Sequence, residues 1–170
     1  MKVSKDSIRI VRGEPTRVGD ILRLLQAAAR WMELNGINQW TPGQFNEVDV
    51  AGYFVDRHVY LALDDGAVVG MFTLQFSDPQ YWGCKNDESY AYLHRLAVAD
   101  SHRGQGLGQH MLKYAGVLAQ ELGYKGLRFD AVAHNIKLNR YYQSLGYHYM
   151  GTNDIGNGRL VNLYEQLLLL

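Results

Sequence analysis

Residues 90–108, YAYLHRLAVADSHRGQGLG, decide how the rest of the chain is read. Tyr92, Leu93, Leu96, Ala97 and Val98 read as a buried strand, Asp100, Ser101 and His102 as a polar turn, and Gly104, Gly106 and Gly108 as a loop. Leu107, Met111, Leu112, Ala115, Leu118, Ala119 and Leu122 follow at helical spacing. A strand, a glycine loop and a helix start in that order aim backbone N–H groups and a helix N-terminus at an anion, usually a phosphate. Glycines let the backbone come close, having no Cβ, and Arg103 adds a fixed positive charge suited to phosphate oxygens. The same residues also suit a tight strand-to-helix turn with no ligand.

Two phosphate loops are excluded by their own chemistry. A Walker loop needs Lys and Ser/Thr after its last glycine, where Gln109 and His110 stand here. The dinucleotide fingerprint needs a glycine where Gln109 lies. What remains, Arg103-x-x-Gly106-x-Gly108 after a strand, resembles the acetyl-CoA-binding signature of the GNAT superfamily of acetyltransferases. A second segment, Asn135-x-x-Leu138-x-x-x-Tyr142-x-x-x-Gly146-Tyr147, resembles that superfamily's second signature and lies at the expected distance downstream. Leu138 departs from it, standing where the family usually carries Ala, and Tyr141 sits beside Tyr142, so spacing alone selects the functional tyrosine. The resemblance covers roughly residues 67–149.

Around these signatures the chain reads as a mixed α/β domain. Ile8 and Ile10 alternate in a first strand over 7–12. A helical stripe of Val18, Ile21, Leu22, Leu25, Ala28 and Met32 spans 16–34 and stops at Asn35-Gly36. A loop with Trp40 and a weaker helix over 43–56 precede a hairpin of strands 58–63 and 67–76. Residues 77–88 read as a polar and aromatic loop. After the central strand and helix come a strand over 127–132, a helix capped by Asn135 and stopped by Gly146, and a closing antiparallel pair over 147–151 and 160–168. The expected architecture is α+β: one domain over 1–170, with a mixed, mostly antiparallel sheet flanked by about four helices. The resemblance adds that the central strands splay into a cleft for an acyl-CoA.

Composition narrows the function. The 170 residues carry 17 Lys+Arg and 17 Asp+Glu, which offers no broad basic face for nucleic acid or an acidic membrane. Arg103, Lys137 and Arg140 suffice for a small phosphate ligand. Cys84 is the only cysteine, so neither a disulfide framework nor a thiolate zinc site is expected. The histidines show no metal-ligand spacing, and His58, His102, His110, His134 and His148 read as surface or loop residues. No apolar run reaches signal-peptide or membrane-span length, so a cytoplasmic protein is expected.

The resemblance implies an acyltransferase with acetyl-CoA as donor and a small-molecule or peptide amine as acceptor, and the cysteine count and histidine spacing give no metal to expect. It implies that the backbone of Leu96, Ala97 and Val98 pairs with the pantetheine arm, with a strand N–H near Leu96 serving the oxyanion. Backbone N–H groups of Arg103, Gly104, Gln105, Gly106, Leu107, Gly108 and Gln109 would hold the pyrophosphate. Asn135 would bind pantetheine, or simply cap its helix. Tyr142 would be the general acid, since a phenol of pKa about 10 can protonate a thiolate whose thiol has pKa about 8.5; the alternative is a core tyrosine.

For the base, Tyr90, Tyr92 and His94 share a face by the period of two, joined by Glu88 if the strand starts early. His94, Glu88 and ordered water all remain open, as does a purely structural His94. Trp31, Trp40, Tyr81 and Trp82 could line an acceptor pocket or pack the core, and Asp78, Asp87 or Glu88 could hold an ammonium. Another acyl-CoA, a hydroxyl acceptor and a CoA-binding module without turnover are the competing functions. Leu163 and residues 167–170 suggest a homodimer interface or ordinary sheet core.

Overall fold

The computed structural model describes residues 7–167. Its strands are β1 (Ile8–Arg12), β2 (His58–Asp64), β3 (Ala67–Gln75), β4 (Ala91–Val98), β5 (Gly126–Val132), β6 (His148–Asp154) and β7 (Leu160–Leu167). Its helices are α1 (Val18–Leu34), α2 (Glu47–Asp56), α3 (Pro79–Trp82), α4 (Leu107–Glu121) and α5 (Ile136–Ser144). The strands form a seven-stranded mixed sheet in the order β1-β2-β3-β4-β5-β7-β6. β1–β2, β2–β3, β5–β7 and β6–β7 are antiparallel, and β4–β5 is parallel. This is the α/β architecture expected from the sequence. The residues fall into two compact units: the chain up to Leu74 with Arg95–Lys113, and Gln75–His94 with the chain from Tyr114 onward.

In the first unit, the apolar stripe of α1 buries Ile21, Leu24, Leu25, Ala28 and Ala29. They share a core with Trp40, Phe45, Val50 and Tyr53, with Val59, Leu61 and Leu63 of β2, and with Met71 and Ala97. Area removed from water at about 25 cal/mol per Å² makes such a face worth several kcal/mol. α2 is capped by Asn46, whose side chain accepts from the Asp49 N–H. The β2–β3 hairpin closes on Asp65 and Gly66, both at positive φ (49° and 80°), the combination a type I′ turn requires.

β4 passes from one unit to the other and breaks its own regularity on the way. Arg95 has φ +56°, a left-handed conformation in mid-strand at a residue with a Cβ. The sequence pattern treats 92–98 as continuous strand; the left-handed Arg95 interrupts its alternation, so the period of two does not carry past His94.

The second unit has β5 at its centre. β4 pairs with it only at Ala91↔Leu127 and Tyr92↔Arg128. β7 pairs with it from Gly126↔Leu167 to Val132↔Val161. Phe129 collects the aromatic side chains of Tyr142, Tyr147 and Tyr164, with centroids at 4.9, 4.9 and 5.6 Å. Trp82, Tyr92, Val161 and Leu163 form the other core of this unit. Leu163 is 0% exposed and packs in this core. Residues 168–170 lie outside the described residues. The segment 77–88, expected as loop, folds into α3 followed by a tight helical turn (Gly83–Lys85).

Candidate active site

The glycine loop joins β4 to α4 in the first unit. Gly104 and Gly106 adopt φ +75° and +82°, which favours glycine at both. Among the described residues, none of the backbone N–H groups from Gly104 to Gln109 meets an acceptor; the first that does is His110, on the Gly106 carbonyl at 3.0 Å. A run of unsatisfied donors at a helix start is an anion cradle. Arg103 differs from expectation. Its guanidinium donates to Asp100 and to the Val98 carbonyl, and lies 4.2 Å from the centroid of Trp31. These contacts tie Arg103 to the turn that precedes the glycines. Trp31, expected as a pocket wall, is capped by that guanidinium.

A polar chain fixes the same loop. His102 Nδ1 is 2.7 Å from Ser101 Oγ, and Nε2 is 2.8 Å from Asp64 Oδ2 at the end of β2. His102 is 8% exposed, a buried tie rather than the loop histidine expected from sequence.

In the second unit, His94 sits in a cluster that the sequence could not show. Its Nε2 is 2.7 Å from Asp78 Oδ2 and its Nδ1 3.7 Å from Asp130 Oδ1. Tyr81 lies against the imidazole, with centroids 4.7 Å apart. The side chains of His94, Asp78 and Asp130 are only 10%, 3% and 13% exposed. An ionised Asp78 can only accept, so Nε2–H donates to it, while Nδ1 faces Asp130. The ligand atoms of these three residues lie within 4.8 Å of one another, a grouping that could also hold a metal ion. Asp78 and Asp130 are 16 and 36 positions from His94 in the chain, beyond any spacing motif.

Tyr142 and Tyr141 separate clearly. Tyr142 is 9% exposed and Tyr141 42%. Burial pushes the Tyr142 hydroxyl well above the ordinary phenol range, and the nearby Asp130 charge pushes it the same way. Asn135 accepts from the Leu138 N–H at 3.1 Å, the helix-cap role. Asn139, which the sequence reading missed, is buried and bonds the Val132 and Asn135 carbonyls, Asn162 and Tyr164. An amide amid a helical apolar stripe is the only signal it gives.

The remaining acceptor residues divide. Trp82 is 0% exposed, packed between Tyr92 at 5.7 Å and the Arg128 guanidinium at 4.3 Å, so it offers no surface to a ligand. Trp40 is 6% exposed in the first unit's core. Tyr81 stays half-buried. Glu88 is exposed and precedes β4, which starts at Ala91, so it does not join the face of Tyr92 and His94. Leu96 and Val98 are half-buried and Ala97 faces the core.

Residues 25–147 match the model of the acetyltransferase (GNAT) family, and the chain belongs to that family: it is an acyltransferase of GNAT type. An uncharacterized N-acetyltransferase of Bacillus subtilis, YesJ, is 32% identical over 143 residues, covering 80% of this chain and 79% of its own. Among solved structures, a GNAT-family acetyltransferase from Listeria monocytogenes matches with a TM-score of 0.78 at 24% identity, covering 95% of each chain. One from Salmonella typhimurium, solved with its cofactor acetyl-CoA, matches at 0.68 and 15% identity over 95% of this chain and 94% of its own. Among the described residues no helix is long and apolar enough to cross a membrane.

Proposed function

We propose that the protein transfers an acetyl group from acetyl-CoA to a primary amine of a small molecule or peptide, by direct attack in a ternary complex. The observation that carries this reading is the run of unsatisfied N–H groups from Gly104 to Gln109 at the start of α4, in a chain of this family. These donors suit the pyrophosphate of CoA. The backbone of Leu96, Ala97 and Val98 offers strand hydrogen bonds to the pantetheine, and an N–H near Leu96 serves the oxyanion as the amine attacks the thioester carbonyl.

An alkyl ammonium of pKa about 10.4 must lose a proton before it attacks. His94 Nδ1 takes that proton, directly or through water, while Asp78 holds Nε2–H and Asp130 faces the imidazolium that forms. As the tetrahedral adduct collapses, the C–S bond breaks, Tyr142 gives its proton to the departing thiolate, and the tyrosinate regains one through solvent from the nitrogen that becomes the amide. Burial keeps Tyr142 protonated over the working pH range, so it enters every cycle as a donor. Tyr81, lying against His94, forms the acceptor side of this reading.

Release of CoA thiol over a panel of polyamines, amino acids, aminoglycosides and peptides tests the reading. Amine-dependent release in the wild type is expected, falling roughly 100-fold in kcat for His94→Gln with the acetyl-CoA-induced rise in Tm retained. Unaltered kcat in that variant removes His94 from the mechanism.

A further inference from the structure

Arg95 lies within β4 at φ +56°, and its side chain is held from several sides. Nε donates to the Tyr53 hydroxyl at 2.9 Å. The guanidinium carbon lies 5.8, 5.5 and 5.7 Å from the centroids of Trp40, Phe45 and Tyr53. Trp40 and Phe45 are themselves locked edge to face at 5.5 Å. Yet among the described residues no carboxylate pairs with this cation, and its Nη groups have no protein acceptor. The neighbouring cation on the same tyrosine, Arg57, is already paired with Asp56 at 3.2 Å. By contrast, the buried Arg128 gives Nη1 to the Lys85 carbonyl and to Tyr92, and faces Glu165 at 3.7 Å.

Outside turns, a left-handed backbone at a residue with a Cβ is strained, and such strain clusters at functional sites. Here Arg95 is a half-buried cation packed against three aromatic side chains and held by one hydrogen bond, and its outer N–H fork meets no acceptor among the described residues. A planar fork of this kind matches the two oxygens of a carboxylate. A phosphate dianion gathers several cations, and among the described residues the other cation on Tyr53, Arg57, is paired with Asp56. Two loop aromatic side chains and α2 thus serve to present one guanidinium edge to one monoanion.

We infer that Arg95, oriented by Tyr53 and seated on Trp40 and Phe45, is the binding site for the carboxylate of the acceptor, which is therefore an amine that also carries a carboxylate: an amino acid or a short peptide. The identity of the ligand as acceptor rests on the transferase reading above; the binding of a carboxylate at Arg95 does not.

The test uses matched ligand pairs that differ only in the carboxylate: lysine against cadaverine, and phenylalanine against phenethylamine. Calorimetry on the CoA-loaded protein measures binding, and thiol release from acetyl-CoA measures turnover. The expected result is that, in at least one pair, the carboxylate member binds about tenfold or more tighter than its amine. That gap closes to about twofold in Arg95→Gln and narrows in Tyr53→Phe, which keeps the aromatic side chain but releases the guanidinium. Should Arg95→Gln melt far below wild type, the wild-type gap and Tyr53→Phe carry the result. Equal binding within both pairs, no binding of either carboxylate member, or a gap that survives both variants overturns the proposal. Carboxylate-dependent binding without thiol release overturns the transferase reading and leaves the Arg95 site standing. Thiol release indifferent to the carboxylate does the reverse.

Discussion

Tyr142 shows what one hydroxyl is asked to do. It is buried among Phe129, Tyr147 and Tyr164, and none of the hydrogen bonds among the described residues involves its hydroxyl. Removing the oxygen therefore breaks nothing structural. Tyr142→Phe should melt close to wild type and bind acetyl-CoA with nearly unchanged affinity. Its kcat should fall roughly 100-fold, because the thiolate then leaves unprotonated. Kinetics beside a calorimetric acetyl-CoA titration decide this, and equal loss of affinity and turnover would make Tyr142 a packing residue. Because burial raises its pKa, Tyr142 should add no alkaline limb to the rate profile below about pH 10.

At the scale of elements, glycines of opposite kinds make opposite predictions. Gly52 lies inside α2, and a Cβ there would meet nothing within 4 Å. Gly52→Ala should stabilise by about 0.5–1 kcal/mol, a rise in Tm of roughly 1–4 °C by thermal melting. Gly126 opens β5, and a Cβ there would lie 2.4 Å from the Gln166 carbonyl oxygen, backbone that cannot turn aside. Gly126→Ala should cost about 1–3 kcal/mol and lower the Tm by several degrees. A rise in that variant would mean that β5 and β7 do not pair in this register.

The same scale explains what the sequence could tell. The loop from Gly104 to Gly108 was legible because positive φ is encoded by residue type, and α1, α4 and α5 because their apolar stripes repeat at helical spacing. α3 was not, since four residues make only one turn and carry no period. The left-handed backbone at Arg95 was not either, because arginine, unlike glycine, carries no signal for positive φ. Asp78 and Asp130 reach His94 through the fold alone, so the sequence offered His94 as one base among three. Trp82 and Trp40 read as pocket or core with equal ease, and only their burial decides.

For the whole molecule, pH acts on stability through His58 among others. Its pKa is lowered, first by burial and then by the Arg12 charge. The unfolded chain therefore binds a proton that the folded one refuses. This contribution to stability is complete above pH about 6.5 and is lost as pH falls below it. The Tm should drop between pH 7.5 and 5.5, and His58→Gln should flatten that slope; an identical slope in the variant would assign it to other groups.

The account centres on acetyl transfer to an amine with His94 as base. Its most direct test is thiol release from acetyl-CoA across the amine panel, in wild type and in His94→Gln. Release that depends on one acceptor class and collapses roughly 100-fold in the variant is the predicted result. Absence of amine-dependent release in a protein that acetyl-CoA still stabilises would contradict it, leaving a protein that binds the donor without this chemistry.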